Sequence, residues 1–349
     1  MGLFQFYERV VSIYILRKIK KNVLALFLLS LINSISFAGA SVYEPLDPIS
    51  FPEDNPWSEV KEKLGKKLFF DKKLSGDNTK SCGSCHIQKL GWADGKRKAI
   101  GHRQKELSRN TPSIINSGYF KTQFWDGRAK SLEEQALAPI QSPVELNQDL
   151  DSLMNELREE SEYVDMFKKA FGESGITKDN LAKAIATFER TIVSKVSAYD
   201  RYWQGDKDAM SSEAIRGMKL FFGKAKCSIC HNGPLFTDHQ FHNIGLADDS
   251  KENAKGRNKV TGEPFHKGAY KTPGLRDVTL SAPYMHDGSS KTLQDVIEFY
   301  DKGGALSKNK SPFISPIGLT SREKNELFEF LISLQSDQFS SEYSSSSKY

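Results

Sequence analysis

The sequence predicts a mainly α-helical protein built from two tandem, related halves. Three observations carry that expectation: apolar residues recur at helical spacing behind helix-start signals, no long alternating strand pattern appears, and a set of short motifs occurs twice in the same order. The 349 residues suit two domains at roughly 150 residues each. Hydrophobic residues at 38%, with 22 Phe and 12 Tyr, supply a core and exclude global disorder. A mean hydropathy of −0.50 excludes a polytopic membrane protein. Four Cys are too few for a disulfide scaffold, so each needs its own explanation.

Residues 1–40 read as an export signal. The basic run Arg17-Lys18-Ile19-Lys20-Lys21 precedes the apolar stretch Val23–Ile32, and Ser36-Phe37-Ala38-Gly39-Ala40 ends in small residues. Cleavage after Ala38 or Ala40 fits equally. An uncleaved anchor is the alternative, although the apolar stretch is short for a stable span. The signal carries Arg9, Arg17, Lys18, Lys20 and Lys21 against the single acid Glu8, so its loss takes the net charge from +5 to +1. No basic nucleic-acid face remains. The expected organisation is an N-terminal domain over 41–207, a C-terminal domain over 208–335, and a flexible Ser-rich tail over 336–349.

The cysteines fall as Cys82-Gly83-Ser84-Cys85-His86 and Cys227-Ser228-Ile229-Cys230-His231. Zinc ligation and redox disulfides are the alternatives for two Cys-x-x-Cys pairs. With 7 His in 349 residues, a His following both pairs by chance is on the order of one in 2,500. Cys-x-x-Cys-His is the attachment signature of haem c: the thiols form thioethers with the vinyl groups and the adjacent imidazole reaches the iron. Two covalent haems are expected, with His86 and His231 as proximal ligands. The two halves are then cytochrome c-like domains, and an exported, periplasmic location fits haem c attachment.

The repeat extends beyond the cysteines. Gly65-Lys66-Lys67-Leu68-Phe69-Phe70 is answered by Gly217-Met218-Lys219-Leu220-Phe221-Phe222, and Thr111-Pro112 by Thr272-Pro273. Trp125-Asp126-Gly127 with Ser131-Leu132-Glu133-Glu134 is answered by His286-Asp287-Gly288 with Thr292-Leu293-Gln294-Asp295. Both tetrapeptides read as capping boxes that start a helix. Leu181, Ile185, Phe188, Ile192 and Val196 form one apolar helical stripe, and Leu327, Phe330, Leu331 and Leu334 another behind a Thr320-x-x-Glu323 box. The Asp-Gly pairs lie 161 residues apart, and the same offset sets Tyr300 opposite Pro139. If this helix lies over the open face of each haem, one half offers a phenol to the iron where the other offers nothing, which separates electron transfer from chemistry. Near Pro139 lie Gln135 and Glu145, polar groups suited to a peroxide's protons. Loop or core roles suit His239, His242 and His266.

The run from Phe124 to Ala136, together with Pro139, Val144-Glu145, Arg109-Asn110-Thr111-Pro112, both haem motifs and Ala282-Pro283-Tyr284-Met285-His286-Asp287-Gly288, resembles the bacterial dihaem cytochrome c peroxidases and their MauG relatives. The resemblance runs from about residue 56 to 335. It implies a peroxide-reacting haem in the N-terminal half, an electron-receiving haem in the C-terminal half, and Trp125 between them. It assigns the catalytic glutamate and glutamine to Glu145 and Gln135. It also implies a calcium held by the Asn110 side chain and by the carbonyls of Ser281 and Pro283; Ser281 stands where most members have Thr. His102 matches the histidine that caps the peroxidatic iron at rest in the peroxidases. Where those enzymes carry a methionine ligand, this chain has Tyr300, as MauG-like members do.

The expected function is peroxidase chemistry: hydrogen peroxide is reduced to water with electrons from a small cytochrome c or cupredoxin entering through the C-terminal haem. A MauG-like oxidase acting on a protein partner is one alternative, and a dihaem electron carrier without catalysis is another. The relatives include monomers and homodimers.

Overall fold

Helix α1 (Glu59–Phe70) starts where the Ser58 hydroxyl accepts from Lys61 N, with Glu59 and Glu62 in its first turn and Lys67 in its last. Its face of Leu64, Gly65, Leu68 and Phe69 is buried against α5 (Lys178–Arg190). The second half repeats this crossing: α7 (Ser212–Phe222), capped by Ser211, packs on α10 (Ser321–Ser333). Both crossings are so close that only glycine fits. A Cβ on Gly65 would collide with the Ala184 carbonyl, and one on Gly217 with the Glu326 carbonyl. Gly217→Ala is therefore expected to destabilise by about 1–3 kcal/mol, read as a lower denaturant midpoint with an unchanged slope.

The computed structural model describes residues 43–246 and 255–337. The export signal and the tail beyond 337 lie outside them. Both halves belong to the unit Pro45–Tyr349; of Met1–Glu44 only the last two residues are described. Besides α1, α5, α7 and α10, the helices are α2 (Leu132–Gln141), α3 (Leu150–Arg158), α4 (Ser161–Phe171), α6 (Ala198–Trp203), α8 (Asn258–Thr261) and α9 (Leu293–Asp301). The expected helical class holds. Among the described residues the only sheet is a two-residue pair, β1 (Phe241–His242) antiparallel to β2 (Tyr270–Lys271). No helix among them is long and apolar enough to cross a membrane.

Each half is centred on three aromatic rings in mutual contact. Phe69, Trp92 and Phe188 fill one, and Phe221, Phe236 and Phe330 fill the other. The first half carries an additional cover, α3 and α4, whose Leu153, Leu157, Tyr163 and Phe167 complete its core. The Tyr163 hydroxyl donates to the Asp71 carboxylate, tying this cover to the end of α1.

Three local expectations change. The stripe at Leu181, Ile185 and Phe188 ends with α5 at Arg190; Ile192 lies beyond the helix and Val196 is exposed. Ser131 caps α2 through Glu134 N, but Glu134 accepts from Lys130 N instead of closing the reciprocal bond. The boxes at Thr292 and Thr320 close fully. Ser336, expected in a frayed tail, is fully buried: its N donates to Asp277 Oδ1 at 2.6 Å and its hydroxyl to Asp277 Oδ2 at 2.8 Å. It mirrors Ser194, whose N donates to Asn116 Oδ1 at 2.9 Å, so the repeat reaches further than the Ser-rich composition suggests.

A buried ion pair ties α6 to the second half. Arg276 binds Asp200 through two bonds of 2.8 Å and donates from Nε to the Pro234 carbonyl at 2.6 Å. Burial alone would raise the Asp200 pKa, but the Arg276 guanidinium and Ser197 hold it below the ordinary carboxylate range. A depressed folded-state pKa means that the pair's stabilisation is present above the unfolded-state value and is lost as pH falls through the folded one. Arg276→Met, which leaves a buried unpaired carboxylate, is expected to cost about 3–5 kcal/mol at neutral pH by denaturant titration, and less in acid.

Candidate active site

The two Cys-x-x-Cys-His motifs adopt the same local shape. Each opens with a 3₁₀ turn, Cys82–Ser84 or Cys227–Ile229, and the His N–H closes it onto the first Cys carbonyl at 2.9 Å and 2.8 Å. The imidazoles are then fixed by the aromatic cores. His86 Nδ1 bonds the Trp92 carbonyl at 3.0 Å, and His231 Nδ1 bonds the Phe236 carbonyl at 2.9 Å. Burial pushes both imidazole pKa values down, which keeps them neutral. A neutral ring with Nδ1 engaged by a carbonyl presents Nε2 to a metal.

Both motifs open on one cavity of about 1160 Å³. That exceeds the roughly 300–1,000 Å³ of a single small-molecule site. All four cysteines are free, and burial pushes the Cys82 thiol up and the Cys227 thiol to about 12. Among the described residues the one convergence of three metal-binding side chains is Cys230, Asp238 and His242, so neither motif gathers a four-ligand zinc set. His242, bonded to Asp238 at 2.7 Å, is pushed up to about 10 by that carboxylate and by the neighbouring Cys230. The cavity, the thiol spacing and the two oriented neutral imidazoles fit two haem c groups.

The aligned helices α2 and α9 contribute to the same cavity wall. Gln135 and Pro139 of α2, and Glu145 in the turn after it, line the cavity. No ion pair or hydrogen bond engages the Glu145 carboxylate or the Gln135 amide among the described residues. Tyr300 of α9 lines the same cavity, and burial, with Cys227 and Cys230 nearby, pushes its phenol pKa up. Helix α9 ends one residue later, and Gly303 and Gly304 both take positive φ as the chain turns away.

Trp125 sits where the halves meet. Its Nε1 donates to the Asn110 carbonyl at 2.9 Å, and its own carbonyl accepts from Lys271 N at 2.9 Å. Asn110, Ser281 and Pro283 line the cavity too, and the Asn110 amide nitrogen donates to the Lys96 carbonyl at 2.8 Å. His102 is not brought in. It lies outside the cavity lining, with Nδ1 3.1 Å from Asp77 Oδ2 and Nε2 3.5 Å from Asn147 Nδ2.

Other wall residues had no local sequence signal. Lys271 spans to the Thr122 carbonyl at 2.9 Å and over the Phe120 ring, and burial pushes it down to about 7. Glu189 on α5 is buried, with Oε2 unbonded, and burial pushes it up to about 8. Only the fold brings these two to the cavity.

Comparisons with known proteins agree with this geometry. A sequence model of the di-haem cytochrome c peroxidase family matches residues 59–208. The cytochrome-c peroxidase IdrP1 of Pseudomonas sp. (strain SCT) is 39% identical over 320 residues, covering 83% of this chain and 84% of that one. The methylamine utilization protein MauG of Methylorubrum extorquens is 40% identical over 297 residues, with 83% and 82% covered. Among solved structures, a MauG-like protein associated with microbial copper homeostasis superposes with a TM-score of 0.79 at 34% identity, covering 85% of this chain and 95% of that one.

Proposed function

The chain belongs to the di-haem cytochrome c peroxidase family and is a haem oxidoreductase acting on peroxide; on that premise we propose that it is a periplasmic enzyme reducing hydrogen peroxide to water at its N-terminal haem. Electrons come from a small cytochrome or cupredoxin through the C-terminal haem. The observation that carries this reading is the asymmetry of two aligned helices on one cavity: Pro139 with Gln135 and Glu145 on one side, and Tyr300 on the other.

In this reading residues 1–40 direct export, and the domains 41–207 and 208–335 are cytochrome c-like, each holding one haem. Cys82, Cys85 and His86 hold the first haem, and Cys227, Cys230, His231 and Tyr300 the second. Bound haem supplies the iron that accepts peroxide and the electrons that cleave its O–O bond. Glu145 takes the proton from the nearer peroxide oxygen and returns it to the departing one, so that water leaves. Gln135 holds the peroxide by hydrogen bonding. The Trp92 carbonyl steadies His86 and raises its donor strength. Trp125 lies on the path between the two sites. His102 lies outside the cavity lining, 3.1 Å from Asp77, so in this reading peroxide enters beside Pro139, Gln135 and Glu145. Asn110, Ser281 and Pro283 would hold a calcium ion, fixing the seam beside Trp125.

One titration tests the core of this reading. Stoichiometric peroxide should oxidise the two-haem protein by two equivalents, and carbon monoxide should bind one reduced haem only. Binding at neither haem would leave only an electron carrier. Tyr300 favours a second reading, a MauG-like oxidase of a protein partner, because a phenolate ligand lowers the potential available to an ordinary donor. Rapid oxidation of reduced cytochrome c supports the peroxidase; its absence, with peroxide still consumed, supports the oxidase.

A further inference from the structure

The halves meet about a pseudo-two-fold relation, visible where their backbones exchange hydrogen bonds. Asn110 N donates to the His286 carbonyl at 2.9 Å, and its repeat counterpart Lys271 N donates to the Trp125 carbonyl at 2.9 Å. The side chains at this seam have diverged. Arg109 and Tyr270, 161 residues apart, pair across it: the guanidinium donates to the phenol oxygen at 2.5 Å and lies over the ring, 4.9 Å from its centroid. Trp125 and His286, also one repeat apart, meet edge to face at 6.5 Å. His286 in turn stacks on Tyr270 at 3.6 Å with 26° between the planes. Four side chains from two repeat positions thus form one continuous stack in the wall of the cavity that both motifs share.

His286 is the anomalous member. It is 7% exposed, yet neither ring nitrogen has a hydrogen-bond partner. Buried polar atoms are nearly always paired, and an unpaired one points to a missing ligand. Tyr270 covers one face of the ring, Trp125 abuts it, and the backbone is tied to Asn110, so the ring is not free to turn toward another partner. The other half places an indole at this position, so an aromatic ring suffices for bulk and the imidazole nitrogens have a separate use. The Arg109 guanidinium beyond Tyr270 provides a fixed positive charge that favours an anion here.

We propose that the ring N–H of His286 forms a carboxylate-binding site, donating to a propionate of a haem bound in this cavity, and that His286 thereby positions the haem edge facing Trp125. The inference rests on two haems occupying the cavity, as set out above. A charge-assisted N–H to carboxylate bond is short and directional, so it fixes the haem edge and the stack together. Loss of that restraint loosens the contact on which electron passage along Trp125 depends.

The test uses the two-haem protein and two substitutions. His286→Phe keeps a ring for the stack and removes both nitrogens, whereas His286→Gln keeps an N–H donor. Resonance Raman of the propionate bending mode should be shifted in His286→Phe and near the wild-type position in His286→Gln. After one equivalent of peroxide, sharing of the oxidation between the haems should slow by about tenfold or more in His286→Phe only. An unshifted mode in a fully haem-loaded His286→Phe overturns the proposal. If His286→Phe fails to load both haems, His286→Gln decides: normal loading and a wild-type mode support the site, and failure of both overturns it. Acetate titrated into the wild-type protein should leave the mode unmoved; a shift would assign the nitrogens to free carboxylates instead. A wild-type protein inert to peroxide would overturn the peroxidase reading, while the Raman comparison still decides the His286 site.

Discussion

Replacing Glu145 by Gln is expected to reduce peroxide turnover by about 10²–10⁴-fold while leaving the resting absorption spectrum unchanged. The substitution preserves size and hydrogen bonding but removes the group that accepts and returns a proton. The structure makes it a clean test, because no other described side chain pairs with this carboxylate and no ion pair is broken by its loss. Its turn is held by the backbone instead: Glu145 N donates to the Ser142 carbonyl at 3.0 Å and Leu146 N to the Pro139 carbonyl at 3.1 Å. The mutant should therefore fold and load haem normally. Pre-steady-state mixing should show the defect in the first reaction with peroxide and not in the later discharge by donor. Glu145→Asp, which keeps the proton but retracts it, should recover part of the rate. Wild-type turnover in Glu145→Gln would remove Glu145 from the proton path.

How much of this was legible in the sequence depends on whether a contact is local or paired by the fold. The motif spacing, the Gly65 and Gly217 crossings and the Tyr300–Pro139 alignment are local patterns read twice, and the duplication lets each half check the other. Helices α3 and α4 have no partner in the second half, so the repeat could not announce them, although Leu150, Leu153, Met154 and Leu157 keep helical spacing. The stripe through Ile192 and Val196 misled because Ile192 stays buried just past the end of the helix, so the periodicity continues, whereas Val196 is exposed. Ser336 misled by composition: a serine next to a Ser-rich tail carries no mark of its bond to Asp277. Arg109 and Tyr270 were least accessible, since their pairing across 161 residues exists only once the two halves have docked.

Tyr300→Met should raise the midpoint potential of the second haem on the order of hundreds of millivolts, within the roughly 0.8 V that axial ligands span. A neutral thioether favours ferrous iron, whereas a phenolate favours ferric. Tyr300 suits the exchange: it is half-buried in the cavity wall near Cys227 and Cys230, and the flexible methionine chain fits the same space without a polar group to satisfy. The phenol's raised pKa outside a metal complex matters here. Burial disfavours a free phenolate, so only bonding to a cation would hold the oxygen deprotonated at neutral pH. The expected signs in the mutant are a far-red thioether-to-iron charge-transfer band, reduction of that haem by mild donors, and faster oxidation of reduced cytochrome c. Carbon monoxide binding at the His86 haem should not change, because Pro139, Gln135 and Glu145 are untouched. An unaltered potential in Tyr300→Met would mean that the phenol does not reach the iron. In that case the low-potential argument for a protein-oxidising role would lose its basis, and the ordinary peroxidase reading would stand alone.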